Sequence, residues 1–424
     1  MNENINGQNL PKGYENKMVI VLCLAFGFVM FDRFTLANIW GDIAAELNLN
    51  DSHLGVLMGV FAATWAVVGF FGSVLADTKL SRKKLLMMFV LFFSVCSLLT
   101  GLAVSFVMLI VVRAVMGCFE GPVMPVSQSF IIPQSSPHRR GFNMGLMQVS
   151  AVGLISSLLG PVIQVALAGS IGWRYTFVVT IIPGVIISFL IYKILINPNT
   201  GANEADAKAS GEKVKREKGA TWNALNNRNV ILSIVGTLFL LTWYVCMLTF
   251  APQYLSGEKG FTKTEMSYIM AAFGAGAIVW GVTIPKLSDI FGRKPLVLIA
   301  AVMGAFASFG LVWAPHNLPL LLVIAFVGWG GTGVCALMQS TIPAESGDPR
   351  FVSTIIGTNQ LTGELVGATA GASIMGFVSV SAGRETVLYL LGGCMLVCFV
   401  ISLFYKESAP LVVARKEAAA AQKQ

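Results

Sequence analysis

Charge is what this chain has least of. Asp, Glu, Lys and Arg together make up 12% of its 424 residues, against 55% hydrophobic, whereas a soluble domain carries roughly 25% charged residues. A soluble enzyme is all but excluded. Cysteine occurs seven times, at Cys23, Cys96, Cys118, Cys246, Cys335, Cys394 and Cys398. No two form a C-x-x-C pair and all fall inside apolar runs, so they read as small buried residues. Histidine is scarcer still: His53, His138 and His316 lie in or near loops without ligand spacing, so neither a metal nor a cofactor is expected. No G-x-x-x-x-G-K-[ST] string is present, which argues against ATP-driven work. The first 17 residues are polar and lack a short apolar stretch with a cleavage site, so the first helix reads as a retained span.

What the chain does have is apolar length. The mean hydropathy is +0.74, and apolar runs of at least about 18 residues recur, each long enough to cross a bilayer. They predict twelve helices at 18–38, 53–76, 84–104, 106–130, 142–168, 174–196, 229–255, 264–286, 295–314, 318–343, 351–380 and 385–405. The chain is therefore expected to be an all-α, multi-pass protein of the cell (inner or plasma) membrane. The separation of the third and fourth helices is weak, resting on residues 101–106 alone.

A net charge of +8 would suit a nucleic-acid partner if it were clustered, but the basic residues alternate between loops. Of the 29, the alternation assigns 23 to one side and only Arg174, Lys259, Lys263 and Arg384 to the other, leaving Arg33 and Arg113 inside spans. By the positive-inside rule, both termini are expected to be cytoplasmic. No nucleic acid is implied; the lipid bilayer is the partner, and the chain reads as a monomer. The one long polar stretch, 197–228, is a linker that divides the helices six and six. The organisation is thus a tail (1–17), a six-helix bundle (18–196), the linker (197–228), a second bundle (229–405) and a tail (406–424). A repeat supports the division: DTKLSRKK at 77–84 follows helix 2, and DIFGRK at 289–294 follows helix 8. Asp77, Arg82, Asp289 and Arg293 are accordingly read as gating salt-bridge residues at helix ends.

Five ionisable groups lie inside apolar spans: Asp32, Arg33, Arg113, Glu120 and Glu364. Each costs about 2.5–3.5 kcal/mol near a helix centre, so partners or a wet cavity are required. Arginine offers a planar, permanently charged fork that matches a carboxylate. A carboxyl in a low-dielectric cavity is suited to carrying a proton. Arg33 is therefore assigned to a substrate carboxylate, and Asp32 with Glu120 to proton coupling. Arg113, two turns from Glu120 and about 10 Å along the axis, tunes it. Glu364, between Gly363 and Gly367, is kept as a proton or polar-gate candidate. With all five ionised the core sums to −1; protonating Asp32 and Glu120 makes it +1, which one monoanion neutralises. The plainer alternative is a structural network that binds helices 1 and 4.

The paired loops after helices 2 and 8 resemble those of the major facilitator superfamily. The second copy keeps Asp289, Gly292, Arg293 and Lys294, while the first has Ser81 where glycine is usual. FDRFTLAN at Asp32 and Arg33, and RAVMGCFEGPVMP from Arg113 through Glu120, Pro122 and Pro125, resemble its anion:cation symporters. That group includes bacterial galactonate and hexuronate permeases related to sialic acid and vesicular glutamate carriers. The resemblance implies the twelve-helix fold and proton-coupled uptake of a small organic anion, such as an aldonate or hexuronate, by alternating access. It gives the same roles to Arg33, Asp32 and Glu120, and places Gln148 and Asn359 as polar substrate contacts. Met30 and Trp65 stand where a galactonate permease has tyrosines, which leaves an aromatic or otherwise apolar carboxylate open. Trp65 and Tyr244 are candidate cavity aromatics along with Trp243, although aromatics in spans more often simply pack. The competing reading is a proton-driven efflux antiporter of drugs or metabolites, suggested by Gly160-Pro161, but Gln164 interrupts the glycine pattern of antiporters.

Overall fold

The computed structural model describes residues 2–5, 8–76, 81–136, 139–198, 225–347, 352–410 and 412–413. Twelve helices among them are long and apolar enough to cross a membrane: α1 Tyr14–Asn38, α2 Asp51–Phe71, α3 Arg82–Gly101, α4 Phe106–Gln134, α5 Phe142–Ile171, α6 Trp173–Ile194, α7 Arg228–Gly257, α8 Lys263–Phe291, α9 Arg293–Trp313, α10 Leu318–Ser346, α11 Ile355–Ala382 and α12 Arg384–Leu403. A short helix, Trp40–Leu47, bridges α1 and α2. The expected linker falls almost wholly outside the described residues, as do Asp77 and most of the C-terminal tail. The N-terminal tail contains a small antiparallel hairpin, Asn2–Ile5 with Gln8–Pro11, which hydropathy did not reveal.

The first helix starts four residues before its expected position because the polar run at its start is buried rather than solvated. Glu15 accepts hydrogen bonds from Ser136 (Oγ, 2.7 Å) and Asn143 (Nδ2, 2.8 Å). Tyr14 donates to Gln134 at 3.1 Å. The doubtful break between helices 3 and 4 is real: Ser105 caps α4, its hydroxyl accepting from the Met108 amide at 3.2 Å. Ser81, the departure from the expected loop pattern, likewise caps α3 by accepting from the Lys84 amide.

Several spans are irregular where function is expected. In α4 the helical run Phe106–Glu120 stops and a new one begins at Val123, with Gly121 and Pro122 between them. α5 and α11 contain π-helical stretches, Val152–Leu159 and Gly363–Ala368, and α10 contains Leu337–Thr341. Such insertions cost hydrogen-bond geometry and tend to sit at functional positions.

The helices alternate in direction, so each has one end on the side of the termini and the other on the far side. On the far side the halves are closed against each other. Gly55 of α2 meets Gly376 of α11 so tightly that a Cβ on Gly55 would lie 2.9 Å from the Gly376 Cα. Arg384 grips Asp51 through Nε (2.6 Å) and Nη2 (3.2 Å), Ser379 donates to Asp51 at 2.6 Å, and Gln253 donates to the Ala37 carbonyl at 2.5 Å. Lys263 pairs with Asp42. On the termini side, the polar contacts among the described residues each fall within one half. Arg293 binds Asp289 at 2.6 Å and Glu345 at 2.7 Å, and its backbone N–H donates to Glu407. Arg82 donates to the Ser129 carbonyl at 3.3 Å.

Candidate functional site

The open space between the halves follows from this one-sided closure. A cavity of about 180 Å³ lies toward the termini between α2, α4 and α11, lined by Trp65, Phe70, Met124, Gln128, Gln360 and Glu364 among others. Its wall is mostly apolar, with two amides and one carboxylate. Trp65 and Glu364 are part of its wall, and Arg33, not itself a lining residue, lies against both. The guanidinium is 5.0 Å from the Trp65 ring, 5.3 Å from Phe61 and 5.7 Å from Phe34, a set of aromatic faces that favours a desolvated cation. Its Nη2 is 3.3 Å from Glu364 Oε2, with the two side chains only 4% and 12% exposed. This ion pair joins the two halves at mid-depth.

Behind Arg33 lies a second group, enclosed in the first half. Asp32, Arg113 and Glu120 are fully buried and within electrostatic reach of one another. Asp32 accepts from Ser97 at 2.7 Å, and Ser97 is in turn bonded to Thr180. Arg113 reaches the Arg33 carbonyl at 3.5 Å and the Phe61 ring at 5.8 Å. Among the described residues, Asp32 Oδ2, Arg113 Nε and Nη2, and both carboxyl oxygens of Glu120 have no hydrogen-bond partner. Arg113 and Glu120 share the helix face their spacing predicts, but they do not form a direct ion pair among the described residues.

The remaining candidates divide. Trp65 is in the cavity wall. Tyr244 packs over Trp329 (5.8 Å between ring centroids) and sits beside Ala62 and Ala368. Asn359, fully buried, gives its amide to the carbonyls of Met338 and Gln339, both at 3.0 Å, so it ties α11 to α10 and is not part of the cavity wall. Gln148 is half-buried on α5 and also stands outside that wall. Asp289 and Arg293 pair directly, Arg82 is bonded to α4, and Asp77 lies outside the described residues.

Three contributors escaped the sequence reading. Phe61 lies near both guanidinium groups, Ser97 supports Asp32, and Gln164 binds α5 to α1 through Phe31 O (2.9 Å), Thr35 (2.7 Å) and Asn38 (2.8 Å). In the sequence Gln164 reads only as an interruption of a glycine pattern. Its uncharged polarity inside a span was the signal that could have found it.

The chain matches the Major Facilitator Superfamily over residues 22–368 and 232–423 and belongs to that family. It is 24% identical to the hexuronate transporter of Bacillus subtilis, across 89% of this chain and 92% of that protein. It is 26% identical to the cis,cis-muconate transport protein of Acinetobacter baylyi, across 89% and 91%. A 28% identical match to the probable sulfoacetate transporter of Cupriavidus necator spans only 59% of each chain. In fold it resembles an inward-facing, unoccupied bacterial homologue of the human lysosomal transporter Spinster, with a TM-score of 0.71 and 18% identity, covering 92% of this chain and 96% of that one. The chain is thus a multi-pass membrane transporter of the Major Facilitator Superfamily.

Proposed function

We propose that this transporter couples uptake of a small organic monoanion, such as a sugar acid, to proton entry by alternating access. Arg33 binds the substrate carboxylate, Trp65 flanks it, and Asp32 and Glu120 carry protons with Arg113 between them. The carrying observation is the enclosed Asp32–Arg113–Glu120 group, in which Asp32 Oδ2, Arg113 Nε and Nη2 and both Glu120 oxygens lack hydrogen-bond partners among the described residues, next to Arg33, which itself contacts the cavity-lining residues Trp65 and Glu364. A buried charge without a partner is costly. A carboxyl can remove that cost by taking up a proton, and a carrier can use this to tie reorientation to the proton gradient. With the termini cytoplasmic, as the basic loops predict, the cavity faces the cytoplasm and the structure represents the releasing state. The organic-acid relatives support the anionic substrate. Glycine contacts such as Gly55–Gly376 support helix sliding at the closed face.

The test is uptake by purified protein in liposomes, screening aldonates, hexuronates and aromatic acids at pH 5.5 and 7.5. An inward proton gradient is expected to drive accumulation of one class, and Glu120→Gln to remove that dependence. Equal uptake with and without the gradient, together with an unchanged pH response in Glu120→Gln, would refute proton coupling. Transport of cationic drugs with no carboxylate accepted would favour the efflux reading.

A further inference from the structure

We infer that Glu364 is a built-in stand-in for the substrate's carboxylate: it occupies Arg33 in the empty carrier, and must take up a proton before substrate can replace it. The inference rests on the reading of Arg33 as the substrate's anchor. Its geometry is that of the Arg33–Glu364 pair, 3.3 Å long and buried, with Glu364 in the cavity wall. Among the described residues Glu364 is the only acidic side chain lining that cavity, and it offers Arg33 the same functional group that an organic acid would. One guanidinium in a narrow aromatic surround of Phe34, Phe61 and Trp65 has little room to hold two carboxylates as ionised partners. Two carboxylates crowded on one site repel unless one of them is neutral.

The exchange balances. In the state open to the outside, Glu364 binds one proton and releases Arg33, and the monoanion's carboxylate takes its place. After reorientation the monoanion leaves, the proton leaves to the same side, and the Glu364 carboxylate returns to Arg33. Substrate and proton enter together, so this step leaves the core's net charge the same in the loaded and the empty carrier. The empty carrier can then return with its arginine neutralised, which avoids the cost of an unpaired cation in the membrane interior.

The groups that face Glu364 are few. α1 presents Arg33, α7 presents Tyr244 and α10 presents Cys335, while α2 presents the non-titrating Trp65. Phenol and thiol titrate ordinarily near 10 and 8.5, outside the range between pH 5.5 and 7.5. Asp32, Arg113 and Glu120 form the separate group in the first half, so they must be distinguished by mutation.

The experiment is calorimetric binding to the full-length purified protein, with D-glucuronate and benzoate as probes, in buffers of different ionisation enthalpy at pH 5.5, 6.5 and 7.5. Wild type is expected to take up protons on binding, and Glu364→Gln to take up one fewer. Its affinity should accordingly lose about a tenfold dependence per pH unit, and at the same proton gradient it should accumulate substrate to a lower ratio than wild type. Glu364→Asp, which restores a carboxyl, is expected to restore the proton. A merely structural Glu364 would lower stability or affinity in Glu364→Gln with the proton count unchanged, and that result overturns the inference. So does loss of the linked proton in Glu120→Gln with retention in Glu364→Gln, although proton coupling itself would survive. Failure of both probes to bind wild type at every pH would overturn this inference and the monoanion reading beneath it.

Discussion

Buried polarity is handled differently in the two halves. In the first, Asp32, Arg33, Arg113, Glu120 and Arg140 all keep buried atoms without hydrogen-bond partners among the described residues, whereas in the second only Thr237 Oγ1 and Asn359 Oδ1 do. The second half instead satisfies its ions at the membrane edge, where Arg293 is held by Asp289, Glu345 and Ser288. Its interior packs Trp243, Tyr244 and Phe273 around Trp329. The difference separates labour: one bundle holds reactive charge, and the other supplies a stiff aromatic body and a single carboxylate that reaches across.

Removing the charge that both halves share should have the largest effect. Arg33→Ala removes the partner of both Glu364 and the substrate carboxylate, and truncating one partner of a buried charge pair costs about 2–5 kcal/mol, so substrate binding in an equilibrium assay should fall at least about 30-fold. Next comes Glu120→Gln, which takes one ionisable group from the first half. Gradient-driven accumulation in liposomes should collapse while substrate exchange across the membrane persists. Third, Gly55→Val forces apart the contact with Gly376 and should hold the far side open. Cysteines introduced beside Gly55 should then label from that side several times faster than in the parent protein.

The second half should be more forgiving of its own losses. Asn359→Ala deletes two amide hydrogen bonds, and at about 1 kcal/mol each it should lower the melting temperature by a few degrees with transport kept. Asp289→Asn should have the smallest effect. Asp289 is 55% exposed and Arg293 keeps Glu345, so a stability change below about 1 kcal/mol is expected in a thermal melt.

The spans were legible because apolar length is a local property. Hydropathy located all twelve, and the polar capping residues Ser81 and Ser105 explain why loops so short still end helices. The start of α1 was misjudged because Glu15 is made tolerable by Ser136 and Asn143, partners more than a hundred residues away. The same distance hid the centre of the site. Asp32, Arg33, Arg113, Glu120 and Glu364 each stood out as charges in apolar surroundings, but nothing local joins Arg33 to a carboxylate 331 positions later. Asn359 shows the converse. A polar residue in a span reads as a substrate contact, and nothing local announces the two α10 carbonyls that its amide also serves. Backbone irregularity, such as the π-helical stretch that carries Glu364, depends on packing between helices and leaves no pattern in residue order.

The far-side closure carries a consequence for how the carrier responds to its medium. The pairs Arg384–Asp51 and Lys263–Asp42 are partly exposed, with Arg384 at 31% and Lys263 at 58%, and dissolved ions weaken exposed pairs over a distance of about 8–10 Å at ordinary ionic strength. The mid-depth pair is shielded from such ions. Among the described residues, the ion pairs across the seam between the halves that salt can reach lie on the far side, so salinity loosens the clasp that holds the halves together there. The balance between the two orientations is set partly by the water outside and partly by the acid within.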